Sequence, residues 1–191
     1  MKKPNYCFID TETTGLDKQV HSIHQIAAIL IDGESYKEID SITLEFVPDD
    51  LDKAEQSALD KCGLSLDDLR SRDLSSAEAH TQFKTWLDTH VDRYDRLDKL
   101  LFAAYNAPFD SDFVRGWFSR NNDEFYGAYF WHPPLCVMQS VAWCLAEIRP
   151  TIPNFQLGTL CEAAGLGWDE SLAHDALYDV RKTIDIFKDL I

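Results

Sequence analysis

The sequence predicts an α/β domain in which a mixed five-stranded sheet is flanked by helices. Three observations carry that expectation. A short apolar run, Tyr6 to Ile9, opens the chain. A nearly continuous apolar segment, Ile23 to Ile31, meets an alternating one, Ile39 to Val47, across Asp32-Gly33; with the first run this makes a three-strand antiparallel meander. Beyond residue 50, helical patterns alternate with two further short runs, Leu100 to Tyr105 and Leu135 to Met138, which read as parallel strands.

Taken in order, Tyr6 to Ile9 reads as a buried strand that ends in two carboxylates, Asp10 and Glu12. Gly15 makes the turn that follows. In the second hairpin arm Ile42, Leu44 and Phe46 alternate with Ser41, Thr43 and Glu45, until Pro48 and Asp49-Asp50-Leu51-Asp52 end the strand. Ala54 to about Arg72 reads as one or two short helices broken near Gly63, with Ser65 and Asp68 as a cap. Ser75-Ser76-Ala77-Glu78 is a capping box, and the stripe Ala79, Phe83, Trp86, Leu87 and His90 behind it belongs to a core. After Leu100 to Tyr105, Asn106 or Ala107 caps a helix whose first position suits Pro108; Phe109, Phe113 and Trp117 follow at i, i+4 and i+8. Tyr126 to Trp131 reads as an aromatic loop, with packing or a dimer contact favoured over base stacking. A helix spans about Gln139 to Glu147, Asn154 caps another through Ala164 that closes at Gly165, and the last runs from Ala173 to Ile191. Its stripe is Ala176, Leu177, Val180, Ile184, Phe187 and Ile191. No repeat or linker interrupts the pattern, so residues 1–191 read as one domain.

Composition narrows the function. Apolar residues make up 45% of the chain, enough for a sizeable core, and the net charge is −15. Such a surface does not hold long duplex nucleic acid by bulk electrostatics; any contact with a polyanion must be local and metal-mediated. The five cysteines, Cys7, Cys62, Cys136, Cys144 and Cys161, are widely spaced and form no C-x-x-C pair, which suggests neither a zinc site nor a disulfide framework. Neither the opening Met1-Lys2-Lys3-Pro4-Asn5 nor any later run has the length of a signal peptide or membrane span, so a cytoplasmic protein with no membrane partner is expected.

Chemistry concentrates in three places. Side chains alternate along a strand, so Asp10 and Glu12 share a side and repel unless neutralised; a divalent cation such as Mg²⁺ or Mn²⁺, which prefers oxygen ligands, is the usual remedy. Taken alone, the pair has an ordinary explanation as an acidic strand end facing water. Asp110 falls in a first helical turn, where the helix dipole favours a negative charge in any protein. Asp179 sits at the edge of the last apolar stripe. His174 precedes it by five residues, a rotation of about 140° on a helix, so the two converge only if His174 lies on the loop before it.

In this order the three pieces resemble the motifs of the DEDD exonuclease family, which has a ribonuclease H-like fold, and the resemblance covers nearly the whole chain. Asp10-Thr11-Glu12-Thr13-Thr14-Gly15 is similar to the family's D-x-E motif with T-G following. Asn106-Ala107-Pro108-Phe109-Asp110 is similar to its N-x-x-F-D helix start, and His174-Asp175-Ala176-Leu177-Tyr178-Asp179 to its H-x-A-x-x-D motif. His174, with Asp175 rather than Tyr four residues before Asp179, points to the branch that carries His. Lys61-Cys62-Gly63-Leu64-Ser65 departs from the I-H-G-I-T stretch of proofreading members by placing Cys62 where they have His.

The resemblance implies that Asp10, Glu12, Asp110 and Asp179 hold two divalent cations, Mg²⁺ or Mn²⁺, and that His174 is the general base, with Glu12 also part of the catalytic set. It further implies that Thr13, Thr14, Gly15 and Leu16, with Asn106 and Phe109, seat the terminal nucleotide. The expected activity is release of 5′-mononucleotides from 3′ ends, with single-stranded DNA favoured and RNA ends as the alternative. A catalytically silent nucleic-acid-binding adaptor is the non-enzyme alternative. A polymerase or a second copy of the chain would supply the basic surface that this one lacks.

Overall fold

The computed structural model describes residues 3–190. Ile191, assigned above to the stripe of the last helix, lies outside the described residues. Three antiparallel strands, β1 (Tyr6–Thr13), β2 (Ile23–Ile31) and β3 (Glu38–Glu45), form the expected meander. The short strands β4 (Leu101–Ala104) and β5 (Leu135–Cys136) add in parallel on the other side of β1, giving the order β3-β2-β1-β4-β5. Helices α1 (Gln56–Lys61), α2 (Leu66–Arg70) and α3 (Ser76–Asp88) follow the meander, and α4 (Ala107–Arg120) follows β4. The single turn α5 (Tyr126–Tyr129) precedes β5, and α6 (Val137–Cys144), α7 (Leu157–Ala163) and α8 (Ala176–Leu190) complete the chain.

The strand period divides the core in two. Cys7, Ile9, Ile26, Ala28 and Phe102 point to one face, where α3, α4 and α5 cover them with Phe83, Trp117, Phe118 and Tyr129. Phe8, Ala27, Ile29 and Ala103 point to the other, under Val141, Leu160, Val180 and Phe187 of α6, α7 and α8. Because both faces are covered, every residue of β2 is buried, which explains its unbroken apolar run. Edge strand β3 keeps the alternation of a half-covered surface.

Several local expectations are corrected. Strand β1 does not stop at Ile9; its ladder to β2 continues to Thr13, so Asp10 and Glu12 lie inside the sheet. The hairpin between β2 and β3 is not a two-residue Asp-Gly turn. Asp32 Oδ1 accepts from Glu34 N and Ser35 N, and the left-handed position falls on Tyr36 (φ 56°). Gly33 is needed for a different reason, since a Cβ there would stand 2.2 Å from the Pro4 carbonyl oxygen. The aromatic segment at Tyr126 to Trp131 forms α5, with Tyr126, Tyr129 and Phe130 buried in the core. Helix α6 starts at Val137 and gives way to a 3-10 turn, Ala146–Thr151, that takes in Pro150. Helix α7 starts at Leu157 rather than after Asn154, whose Oδ1 accepts from Gln156 N within the loop. Helix α8 starts at Ala176, because the chain from 169 to 175 is spent in turns closed by Leu172 N to Asp169 O and Asp175 N to Leu172 O. The capping boxes at Ser65–Asp68 and Ser75–Glu78 form as expected, and Gly63 takes φ 64° at the break. His90 lies past the end of α3 with its Nε2 2.9 Å from Asp40 Oδ2.

Candidate active site

The sheet order places the ends of β1 and β4 side by side, and the N-termini of α4 and α8 above them. From β1 come Asp10 and Glu12, opposite Ala27 and Gln25 of β2. Thr11 between them points to the other face and fastens α4: its N and Oγ1 donate to Asp110 Oδ1 at 3.1 and 2.9 Å. Asp110 is therefore locked, 4% exposed, in the first turn of its helix. Asp179 comes from the first turn of α8. His174 lies on the preceding loop at φ 64°, a left-handed conformation uncommon for a residue with a Cβ and typical of functional loops. Donor atoms of Glu12, His174 and Asp179 lie within 4.8 Å of one another.

These groups line a cavity of about 250 Å³ together with Asp10, Asp110 and Tyr105. Thr13, Gly15, Leu16, Asn106 and Phe109 also line it, and Leu16 stands at its lip with 72% of its surface exposed. Thr14 is not among the lining residues. It is fully buried beside the cavity, where its N–H donates to Ser22 O and its Oγ1 accepts from Ser22 N. Gly15 packs on His21, whose ring a Cβ would meet at 2.5 Å. Sequence reasoning missed the wall opposite, where Glu55, Ser57, Ala58 and Lys61 at α1 line the same space. The Lys61-Cys62-Gly63 stretch was the available signal. Cys62 Sγ donates to Glu12 Oε2 at 3.3 Å. A second groove of about 540 Å³ shares Tyr105, Asn106, His174 and Asp179 and extends past the half-buried rings of Phe155 and Trp168.

The electrostatics follow from burying like charges together. Burial pushes the Asp10 carboxyl well above the usual carboxylate range, and Asp110, Glu12 and Asp179 push it further. Burial raises Glu12 to about 8, against the pull of the Cys62 hydrogen bond. Asp110 rises to about 7 by burial despite its two bonds from Thr11, and Asp179 to about 7 by burial despite a backbone hydrogen bond at His174. Burial, then the nearby Lys61 ammonium, holds His174 below its ordinary value, so the imidazole is neutral at pH 7. Among the described residues no Lys or Arg pairs with any of the four carboxylates. Asp179 Oδ1 is buried and has no hydrogen-bond partner in the protein. An orphaned buried oxygen within a carboxylate and imidazole cluster is the donor set that a hard divalent cation takes. The residues present therefore fit such an ion.

A five-stranded mixed sheet in this order, with helices on both faces, defines a ribonuclease H-like fold. The comparisons with known proteins agree. A family model described as an exonuclease (RNase_T) matches residues 7–187, so the chain belongs to this family, the DEDD exonucleases, whose members depend on divalent metal. Ribonuclease T of Photorhabdus laumondii is 26% identical over 190 residues, covering 96% of this chain and 82% of the relative. The PolC-type DNA polymerase III of Oceanobacillus iheyensis is 25% identical over 178 residues, covering 93% of this chain and 11% of the polymerase. Among solved structures, E. coli exonuclease I in complex with a dT13 oligonucleotide superposes with a TM-score of 0.76 at 23% identity. That match covers 97% of this chain and 40% of exonuclease I. Among the described residues no helix is long and apolar enough to cross a membrane.

Proposed function

We propose that the chain is a metal-dependent 3′–5′ exonuclease of the His-containing DEDD branch that releases 5′-mononucleotides from single-stranded DNA ends. The observation that carries this reading is the convergence of Glu12, His174 and Asp179, with Asp10 and Asp110 beside them, in one cavity without a protein counter-charge. Asp10, Glu12, Asp110 and Asp179 would hold two divalent cations, Mg²⁺ or Mn²⁺. When bound, these supply Lewis-acid stabilisation of the negative charge that builds on the phosphoryl oxygens. The chain's own residues do the rest. His174, neutral at pH 7, takes a proton from the attacking water as its oxygen bonds to phosphorus and the bond to the 3′ oxygen breaks. Its exposed loop position leaves it room to meet the substrate. Leu16 and Phe109 offer apolar surface to the terminal nucleotide, and Asn106 offers polar groups.

A single strand suits the site better than a duplex. The cavity holds little more than one nucleotide, the adjoining groove offers Phe155 and Trp168 as stacking faces, and the net charge of −15 opposes a long phosphate track. The ribonuclease T relatives, which match over most of their length, favour RNA ends as the second reading. A polymerase or a second copy of this chain would add the basic surface. The deciding test is a gel assay with matched 5′-labelled single-stranded DNA and RNA in Mg²⁺, Mn²⁺ or EDTA. A metal-dependent ladder that shortens from the 3′ end, absent in Asp10→Asn, is expected, and the preferred oligonucleotide identifies the substrate. A ladder of equal strength with Asp10→Asn would overturn the proposal.

A further inference from the structure

Gln25 is 6% exposed, on β2, directly across the ladder from Glu12. Residues paired across a ladder point to the same face, so its side chain rises beside the carboxylate cluster. One of its hydrogen bonds stays on the sheet, to its β3 ladder partner Glu45, and two leave it. Its Oε1 accepts from Ala176 N at 3.2 Å, and its Nε2 donates to Asp175 Oδ2 and to Glu45 Oε1, each at 3.3 Å. Ala176 is the first residue of α8 and is fully buried, so its N–H is one of the donors that a helix start leaves without an intrahelical partner. Gln25 satisfies it from 151 residues away. Asp175 uses its other oxygen, Oδ1, to accept from Tyr178 N, and its carbonyl accepts from Asp179 N at 3.0 Å. The clamp therefore grips Asp175 and Ala176, the first two of the four residues between His174 and Asp179.

We propose that Gln25 is the positioning residue of this site: its amide ties the start of α8 to the strand pair that carries Glu12, and so sets His174 and Asp179 at the spacing a cation needs. The physical argument is that Glu12 and the pair His174/Asp179 come from opposite ends of the chain. Among the described residues no other side chain hydrogen-bonds from β2 to the Asp175–Ala176 junction. The assignment of the amide follows from its partners, since only Oε1 can accept from an N–H and only Nε2 can donate to two carboxylates.

This inference rests on the cluster being the cation site, and the experiment separates the two. Mn²⁺ binding without substrate, and hydrogen exchange of the Ala176 amide, would be measured for the full chain and for Gln25→Met, Asp175→Ala and Asp179→Asn. The expected result is about a tenfold loss of Mn²⁺ affinity in Gln25→Met, as for other residues that orient metal ligands, with faster exchange at Ala176. Asp175→Ala changes an exposed side chain and serves where Gln25→Met fails to fold; it should weaken Mn²⁺ in the same direction. Gln25→Glu keeps an acceptor for Ala176 but sets a carboxylate against Asp175; pairing it with Asp175→Asn restores a donor between the two residues and should recover most of the affinity that Gln25→Glu loses alone. Weaker binding in Asp179→Asn with unchanged affinity and exchange in Gln25→Met and Asp175→Ala would overturn the clamp and leave the cation site standing. Unchanged Mn²⁺ binding in Asp179→Asn would overturn the site itself, and the clamp with it.

Discussion

Two acidic groups are buried in this molecule in opposite ways. Asp123, 5% exposed beyond the end of α4, has Lys84 Nζ at 3.0 Å and His80 Nε2 at 3.7 Å, and its Oδ1 accepts from Phe125 N. Burial pushes its carboxyl up, but that backbone bond, Lys84 and His80 outweigh it, and it ends below the usual carboxylate range. The four carboxylates around β1 and the starts of α4 and α8 have no such partner, and all four are raised. A chain that buries a charge for structural reasons brings the counter-charge along, because an unpaired buried ion is costly. A cluster left unpaired carries the cost of its own repulsion, which a cation from outside would relieve, as the proposed function requires.

The largest effect is expected from Asp179→Asn. It should cut mononucleotide release by about 10³-fold, ~4 kcal/mol of transition-state stabilisation, while raising the Tm of the metal-free protein because a repelling charge is gone. A fall in both would place Asp179 in the same class as Asp123. His174→Ala should lower turnover by about 10²-fold or more with little change in Tm, measured by stopped assays under saturating Mn²⁺. Near-normal turnover in that variant would remove the base assignment. At the other cluster, Lys84→Met leaves Asp123 without its cation and should destabilise the fold by about 3 kcal/mol in urea titration; no loss would mean that the ion pair is incidental.

The pH response should differ in sign as well. Glu12 titrates at about 8 in the folded protein against its ordinary 4.5, so the folded state keeps a proton that the unfolded chain releases. The stability from that proton is fully present below about pH 4.5 and is lost as pH rises through about 8. The Tm of metal-free protein should therefore fall by roughly 10 °C across this window, and saturating Mn²⁺ should flatten the curve. A flat curve in EDTA would contradict the raised carboxyl. Smallest of all, Leu16→Ala at the exposed lip should raise KM about threefold and leave kcat and Tm unchanged, because only contact with the terminal nucleotide is lost.

Periodicity was enough to read the architecture where each residue's environment repeats along the chain. β2 was legible from end to end because both its faces are covered, and the stripe on α8 because one face packs on the sheet. Boundaries were lost where a polar segment borrows its hydrogen bonds from a neighbour: Asp10 to Thr13 are extended because β2 pairs with them, not because of their own preference. The hairpin was misread at Asp32-Gly33 because Gly33 serves the close approach of Pro4, which no local pattern announces.

The same division holds at the site. Residue types at fixed local spacing are a property of the chain alone, so the three acidic motifs could be named before any fold was known. The loop position of His174 was legible only as the condition for its meeting Asp179, since the periodic stripe runs the helix from Ala173. What faces these residues across space was not legible at all. The α1 wall with Lys61, the Cys62 bond to Glu12, the inward turn of Thr14 and the grip of Gln25 on the start of α8 all join residues far apart in sequence or turn a side chain away from its expected side. Strand and helix order and the chemistry of the acidic groups follow from residue pattern along the chain. That these groups gather without a counter-charge is a property of the folded chain, because desolvation and like-charge repulsion exist only once the sheet order has brought β1, β4 and the starts of α4 and α8 to one end.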